Sequence, residues 1–566
     1  MDTVPSPWQA NYRHPIGWDK AYSPLTLPEM FLDAAARLGD APFLDFLGRR
    51  YSYAQVESAV RRAACGFARL GVKPGDRVGL FLPNVPHYVA AYYGALLAGG
   101  IVVNFSPLYS VDELAAQASD SGTRLLVTMS AAALLPTALK VMDRGQIEKL
   151  VVGSIAGALP AAKSIAYRLF KRAEIAAAPR DPRISRFSQL IANDGQCAAP
   201  APAADEVALI QYTGGTTGVP KGAMLTHQNL SANARQVNDI DPKDGDGDRI
   251  VGVLPFFHVF ANTCVLNRTV VAGGLVAMLP RFDAKATLAA ITRVKATALP
   301  GVPTMYQALL DHPDTARTDF SSLRVCISGG APLPADVKTQ FETVTGAKVV
   351  EGYGLTESAG VVSCNPYQGL NKSGTIGQPI PATMIKLLDR EDPTKAAPPG
   401  EAGELAFAGP QVMKGYWGRP AADAEVFQDG WLRSGDVAEI DADGYVRIVD
   451  RLKDMIAVGG FKVFPSSVET VLYTHPDVKE AIVIGVPDRY SGERPKAFVT
   501  LIEGAAITGQ ALTDWLNPKL GKHERVIAVE VRDSLPKTLV GKLSRKELVA
   551  EEKAKAAADS SPMQTK

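Results

Sequence analysis

The stretch "YTGGTTGVPKG", Tyr212 to Gly222, holds four glycines, three threonines, a proline and a lysine, and almost nothing suited to a core. Glycines let backbone N–H groups approach anionic oxygens, threonine hydroxyls add donors, and Lys221 brings charge, so the chemistry these residues fit is the grip on a phosphate. A Walker A loop needs a Lys-Ser/Thr pair running into a helix. Here Pro220 precedes Lys221 and Gly222 follows it, so that pattern fails. A flexible surface loop is the alternative for a Gly/Thr run taken alone. The flanks, "EVALIQ" before and "AMLTH" after, read as two strands joined by the loop, with a helix opening near Thr226.

Four later stretches carry further candidates: "EGYGLTES" (Glu351 to Ser358), "RSGD" (Arg433 to Asp436), "DRLKDMIAVGGFKV" (Asp450 to Val463) and "LPKTLVGKLSRKEL" (Leu535 to Leu548). Each has a plain reading by itself. Tyr353 is then a packed turn aromatic, Glu357 an acid complementing a helix N-terminus, Asp436 a turn residue and Lys542 a solvated lysine.

The elements that must position them come from a 566-residue chain, long enough for three or more structural units. Apolar runs such as "RVGLFL", "IVVNF", "RLLVTM" and "LRVCISGG" alternate with helical stretches. This predicts an α/β fold: a large N-terminal domain of parallel-rich sheets covered by helices, with a small β-barrel-like part near Gly374 to Asp450. A small mobile α+β C-terminal domain follows. The expected boundaries are 1–450, 451–550 and a disordered tail, 551–566. Phe81 to Val111 is uncharged, but Pro83, Asn84, Pro86, His87, Gly99 and Gly100 interrupt it, and it is read as strand-helix-strand rather than a membrane span.

Sixty Lys plus Arg against 59 Asp plus Glu leave a net charge of +1, which gives no field for nucleic acid. Five scattered cysteines without CxxC spacing predict reduced thiols, no zinc site and no disulfide, in a cytoplasmic protein. The N-terminus lacks a signal-peptide pattern. Residues 162–186 are locally basic, with Ile165, Tyr167, Leu169 and Phe170 interleaved among Lys163, Arg168, Lys171 and Arg172. Two readings stand there: a solvated surface helix, or a peripheral contact with the inner membrane surface.

Taken in order with the opening loop, the five motifs resemble those of the adenylate-forming (acyl-activating) enzyme superfamily, and within it the bacterial long-chain and medium-chain fatty acid–CoA ligases. The resemblance spans roughly residues 25 to 550. It implies ATP, Mg²⁺ and CoA as cofactor and cosubstrates, a fatty acid substrate and a homodimer. By that resemblance Thr213, Gly214, Gly215, Thr216, Thr217, Gly218 and Lys221 grip the β- and γ-phosphates, and Glu357, with Thr213, holds Mg²⁺. Tyr353 faces adenine, Thr356 bonds the α-phosphate, and Asp436, helped by Arg451, accepts the ribose hydroxyls. Lys542 bridges carboxylate and α-phosphate, and Lys453 is the hinge of the small domain. Gly459 and Gly460 line the pantetheine tunnel, although Ala457 stands where relatives often carry lysine.

The physical need agrees with these roles. A carboxylate is already a nucleophile, so attack on the α-phosphate requires alignment and charge neutralisation rather than a strong base. In "LPFFHVFANT", His258 reads either as a histidine satisfied by a backbone carbonyl or, by resemblance, as lying with Phe257 and Phe260 at the junction of acyl pocket and thiol tunnel. Val302 and Gly329 would add pocket wall, and Gly330 and Ala331 serve both the pocket and the nucleotide. Tyr212 matches a gating aromatic of long-chain relatives. No charged residue occurs in these blocks, which favours an apolar acyl chain. A medium-chain or dicarboxylic acid–CoA ligase, an acyl-AMP ligase loading a separate carrier protein, and a catalytically inactive acyl-binding sensor are the alternatives.

Overall fold

The computed structural model describes residues 6–197, 201–213, 220–242, 247–459, 461–537 and 543–559. Its contacts divide the chain into two units. The first comprises Met1–Ile385, Phe407–Leu432 and Asp443–Tyr445, and the second Lys386–Ala406, Arg433–Ala442 and Val446–Lys566.

In the first unit, short apolar runs flanked by helices become parallel strands, as residues buried on both sheet faces must. An eight-stranded sheet runs in the order Gly415–Tyr416, Lys221–Thr226, Val207–Thr213, Ile101–Asn104, Arg77–Leu80, Leu125–Met129, Lys149–Gly153, Ile184–Arg186. From Val207–Thr213 onward every pairing is parallel, whereas Lys221–Thr226 and Gly415–Tyr416 add antiparallel. Phe81 to Val111 holds helix Pro86–Leu97, buried almost all round, and strand Ile101–Asn104, while the strand before the helix, Arg77–Leu80, ends just ahead of Phe81. Among the described residues no helix is long and apolar enough to cross a membrane.

A second layer is built from the sheet Arg249–Gly252, Leu275–Met278, Pro42–Phe46, Arg49–Ser52 and the sheet Val325–Gly329, Lys348–Tyr353, Ser363–Cys364, Gln378–Pro379. Bridges from Ala298 to Ile250 and to Val325 link them. Between the layers, helix Pro86–Leu97 presents three buried tyrosines whose hydroxyls must find partners. Tyr92 and Tyr93 donate to Asn262 and Asn267 at 3.1 and 2.7 Å, and so pin the π-helix Asn262–Asn267. Just beyond it the fully buried Arg268 pairs with Asp241 and Asp248 at 2.5 and 2.6 Å. Removing either carboxylate would leave a buried cation under-compensated.

The second unit contains the sheet Phe461–Val463, Ile456–Val458, Gly492–Leu501, Val478–Asp488, with Val529–Val531 paired to Gly492–Leu501. Helices Pro465–Leu472 and Gly509–Leu516 close its core through Val468, Leu472, Leu512 and Leu516. The β-rich segment before it supplies strands Trp431–Ile440 and Val446–Arg451, paired antiparallel.

Two expectations give way. Cys65 and Cys197, 132 residues apart in sequence, are joined in a disulfide with a Cα–Cα separation of 5.6 Å. Pairing depends on that spatial approach, which cysteine count and spacing do not reveal, so cysteine usage carries no argument about compartment. The remaining thiols, Cys264, Cys326 and Cys364, are buried, and burial pushes Cys264 up to about 12. The expected tail also begins as structure: helix Arg545–Asp559 runs through its first residues, because Glu551 and Glu552 pair with Arg532 and Lys496 at 2.7 and 2.9 Å.

Candidate active site

The segments on either side of the glycine-rich loop form the two strands expected of them. Strands Val207–Thr213 and Lys221–Thr226 form an antiparallel pair in which Thr213 stands opposite Lys221, so the two mouths of the loop are fixed side by side. Gly214, Gly215, Thr216, Thr217 and Gly218 lie outside the described residues. Helix His227–Asp239 opens on Thr226, whose hydroxyl accepts from the Asn229 N–H while Asn229 Oδ1 accepts from the Thr226 N–H. The Lys221 ammonium sits 3.7 Å from Glu425 and 5.3 Å from the Tyr416 ring centre.

Parallel strands Val325–Gly329 and Lys348–Tyr353 end together, with Gly329 in register with Gly352. Their carboxyl ends, where open α/β sheets bind ligands, bring Gly329, Gly330, Ala331 and Tyr353 to one edge. Glu351 tightens that edge, its carboxylate accepting from the Leu333 N–H at 3.0 Å, and burial raises its pKa above the ordinary carboxylate value. Beyond Tyr353 the chain turns so sharply that a Cβ on Gly354 would lie 1.9 Å from the Gly360 carbonyl oxygen. Only glycine fits.

Thr356 and Glu357 occupy the short 3-10 turn Thr356–Ser358, which closes with Ala359 at φ 56°. Such a conformation persists where its surroundings over-determine it, and here two elements do so. Thr263 of the π-helix donates to the Ala359 carbonyl at 2.5 Å. Asn233, on the helix that follows the glycine-rich loop, both accepts from the Val361 N–H and donates to its carbonyl, each at 2.9 Å. A third contact holds the acid itself: the Tyr416 hydroxyl donates to Glu357 Oε1 at 2.7 Å. One carboxylate beside the Thr356 hydroxyl is a hard-oxygen donor set. It suits Mg²⁺, which keeps its waters and is bound by one or two carboxylates together with substrate phosphates.

His258 caps the short helix Val259–Ala261, its Nδ1 accepting from the Phe260 N–H at 3.3 Å. Phe257, His258 and Phe260 are all half-buried, which leaves their rings partly open. Phe260 lies across Gly329, where an added Cβ would stand 3.1 Å from two ring carbons. Val302 is buried and caps helix Pro303–Leu310. Tyr212 is buried, with its hydroxyl donating to Asp120 Oδ2 at 2.7 Å; Asp120 in turn pairs with Arg419. Burial and that carboxylate raise the phenol well above its ordinary value. Motif reading missed Tyr416, Asp120 and Arg419. The only signal was the glycine-flanked aromatic pair in "KGYWGRP", which by itself says nothing about Glu357 or Tyr212.

In the second unit Asp436 and Arg451 are cross-strand partners, with Arg451 Nε 3.0 Å from Asp436 Oδ1 and Asp436 2% exposed. Lys453 lies in the 3-10 turn Leu452–Asp454, where burial lowers the pKa of its ammonium group. The turn is bracketed within that unit: Asp450 accepts from the Ser466 N–H at 2.9 Å, and Asp454 pairs with Arg545 at 3.4 Å. Gly459 has φ 57° and donates its N–H to the Ser491 carbonyl. Gly460 and Lys542 lie outside the described residues, although Lys537 and Leu543 bridge on either side of Lys542's loop.

A fold of this kind, with a glycine-rich strand-loop-strand and a braced acid at the carboxyl ends of a mixed sheet, defines a nucleotide-handling class, and comparison with known proteins gives the family. Residues 31–417 match the AMP-binding enzymes, and residues 467–542 match the AMP-binding enzyme C-terminal domain. The chain belongs to the AMP-binding enzyme family. It is 39% identical over 552 residues to the long-chain-fatty-acid–CoA ligase of Bacillus subtilis, covering 96% of this chain and 98% of that one. It is 38% identical over 503 residues to feruloyl-CoA synthase of an Amycolatopsis species, covering 88% and 94%. Among solved structures, ATP-bound MatB from Rhodopseudomonas palustris superposes with a TM-score of 0.81 at 29% identity, covering 93% of this chain and 99% of that chain.

Proposed function

We propose that the protein is an AMP-forming fatty acid–CoA ligase. A fatty acid carboxylate attacks the α-phosphate of ATP, expelling pyrophosphate and leaving an acyl-adenylate. The CoA thiol then attacks the acyl carbon, and AMP departs. The observation that supports this reading is that Asn233, on the helix that follows strand Lys221–Thr226, bonds both backbone groups of Val361 just beyond the Glu357 turn.

Roles follow from chemistry at named atoms. Two anions must meet, so cations and backbone donors are needed at their oxygens. Lys221 and the residues Thr213 to Gly218 hold the leaving pyrophosphate, and Thr356 orients the α-phosphate. Asp436, paired with Arg451, accepts the ribose hydroxyls, and Tyr353 packs on adenine. Lys542 neutralises charge between carboxylate and α-phosphate, with Lys453 as pivot between the two half-reactions. Glu357 would hold Mg²⁺, which when bound would neutralise phosphate charge. Phe257, His258, Phe260, Val302, Gly329 and Tyr212 wall the acyl chain, and Gly459 and Gly460 give the pantetheine arm room.

Helix Ala161–Phe170 supports a membrane contact as part of this function. None of its residues is buried, and Ile165, Leu169 and Phe170 are 61, 54 and 82% exposed beside Arg168, Lys171 and Arg172. An apolar stripe flanked by cations fits an anionic lipid surface, where a water-insoluble acid would be collected. A homodimer is proposed on the family resemblance alone.

AMP release with ATP and Mg²⁺, with and without CoA, tests the reading across monoacids from butyrate to stearate, matching diacids and ferulate. CoA-dependent turnover rising toward long monoacids is expected. Turnover best with ferulate or a diacid, or indifferent to CoA, would overturn the choice of acid or acceptor.

A further inference from the structure

The segment Met413–Arg419 has no part in the motifs, yet it holds Glu357 at two atoms. The Met413 N–H donates to the Glu357 carbonyl at 2.8 Å, and the Tyr416 hydroxyl donates to Glu357 Oε1 at 2.7 Å. Tyr416 is itself fixed before it makes that bond. Gly415 and Tyr416 pair as a strand with Met224 and Ala223, on the strand that leads out of the glycine-rich loop, and the Tyr416 N–H donates to Asp423 at 2.7 Å. Its ring lies under the Lys221 ammonium, 5.3 Å from centre to nitrogen, and is 6% exposed. A buried phenol aimed at one carboxylate oxygen constrains the rotation of that carboxylate. The other oxygen, Oε2, accepts no hydrogen bond among the described residues.

From this geometry we propose that Tyr416 is a positioning residue for the reaction: by occupying Oε1 of Glu357 it turns Oε2 toward the divalent cation that accompanies ATP, and through its ring it sets the height of Lys221 beside the phosphates. The inference rests on the reading of Glu357 as the metal carboxylate. Groups that orient a metal ligand from behind typically change metal affinity by about tenfold or more when removed. The phenylalanine variant keeps the ring, the strand pairing and the lysine contact, and removes only the hydroxyl.

The test is Mn²⁺ binding, followed by electron paramagnetic resonance, to the whole enzyme saturated with the unreactive α,β-methylene analogue of ATP. Tyr416→Phe is expected to weaken Mn²⁺ by about tenfold, with an unchanged melting temperature. Glu357→Gln should weaken it at least as much. In the double variant the tyrosine should add nothing, because its effect passes through the carboxylate. Mn²⁺ bound as tightly by Glu357→Gln as by the parent overturns the metal assignment, and the inference with it. Weakening by Glu357→Gln alone overturns the inference and leaves that assignment standing. An undiminished Tyr416→Phe effect in the Glu357→Gln background also overturns it, since the hydroxyl would then act elsewhere.

Discussion

Gly329 has no side chain where Phe260 stands over it, and the space for a Cβ ends 3.1 Å from the ring. The position has no left-handed backbone to protect, so substitution there acts through contact alone. Gly329→Ala should push Phe260 across the acyl path and cut kcat/KM for palmitate by about tenfold or more, with octanoate much less affected, since one methylene-sized change in an apolar pocket is worth about 10- to 200-fold. Equal loss at every chain length, or none, would remove these two residues from the pocket wall. Residues of this kind were legible because glycine, threonine, lysine and acid at fixed spacing have few purposes. Their partners were not. Tyr416 meets Glu357, and Asp120 meets Tyr212, only after the fold has brought together positions 59 and 92 residues apart in sequence.

At the scale of elements, the strands and helices that carry the site were legible in period and punctuation. The helix opening near Thr226 followed from the apolar run before it, and the strand ending at Gly329 from the apolar run "LRVCISGG"; the strand Lys348–Tyr353 beside it was not read from the sequence. What stayed hidden was decided by tertiary contact. The disulfide of Cys65 needed its 5.6 Å approach to Cys197, the π-helix its tyrosine pins, and the last helix its pairs with Arg532 and Lys496. Helix Ala161–Phe170 was legible as basic and amphipathic, and the fold leaves it without a buried residue. Neutralising Arg168, Lys171 and Arg172 together should lower partitioning onto phosphatidylserine vesicles by about a hundredfold, at about 1 kcal/mol for each cation. Co-sedimentation that does not change would return the helix to a solvated surface.

The whole molecule has two units and a net charge of +1, so its substrates are not drawn in by a global field. The charge needed to bring carboxylate and triphosphate together must be local, which is why a lysine-bearing loop and a braced acid matter more than overall composition. The order of the motifs made the family legible, and matches over residues 31–417 and 467–542 agree with it. The central claim is that the carboxylate itself becomes bonded to the α-phosphate. Palmitate labelled with oxygen-18 in both carboxylate oxygens, turned over with ATP and CoA, tests this by mass spectrometry of the products. The account predicts that AMP gains a single labelled oxygen and palmitoyl-CoA keeps the other, with none in pyrophosphate. Label in inorganic phosphate with ADP as product, or AMP free of label, would contradict it.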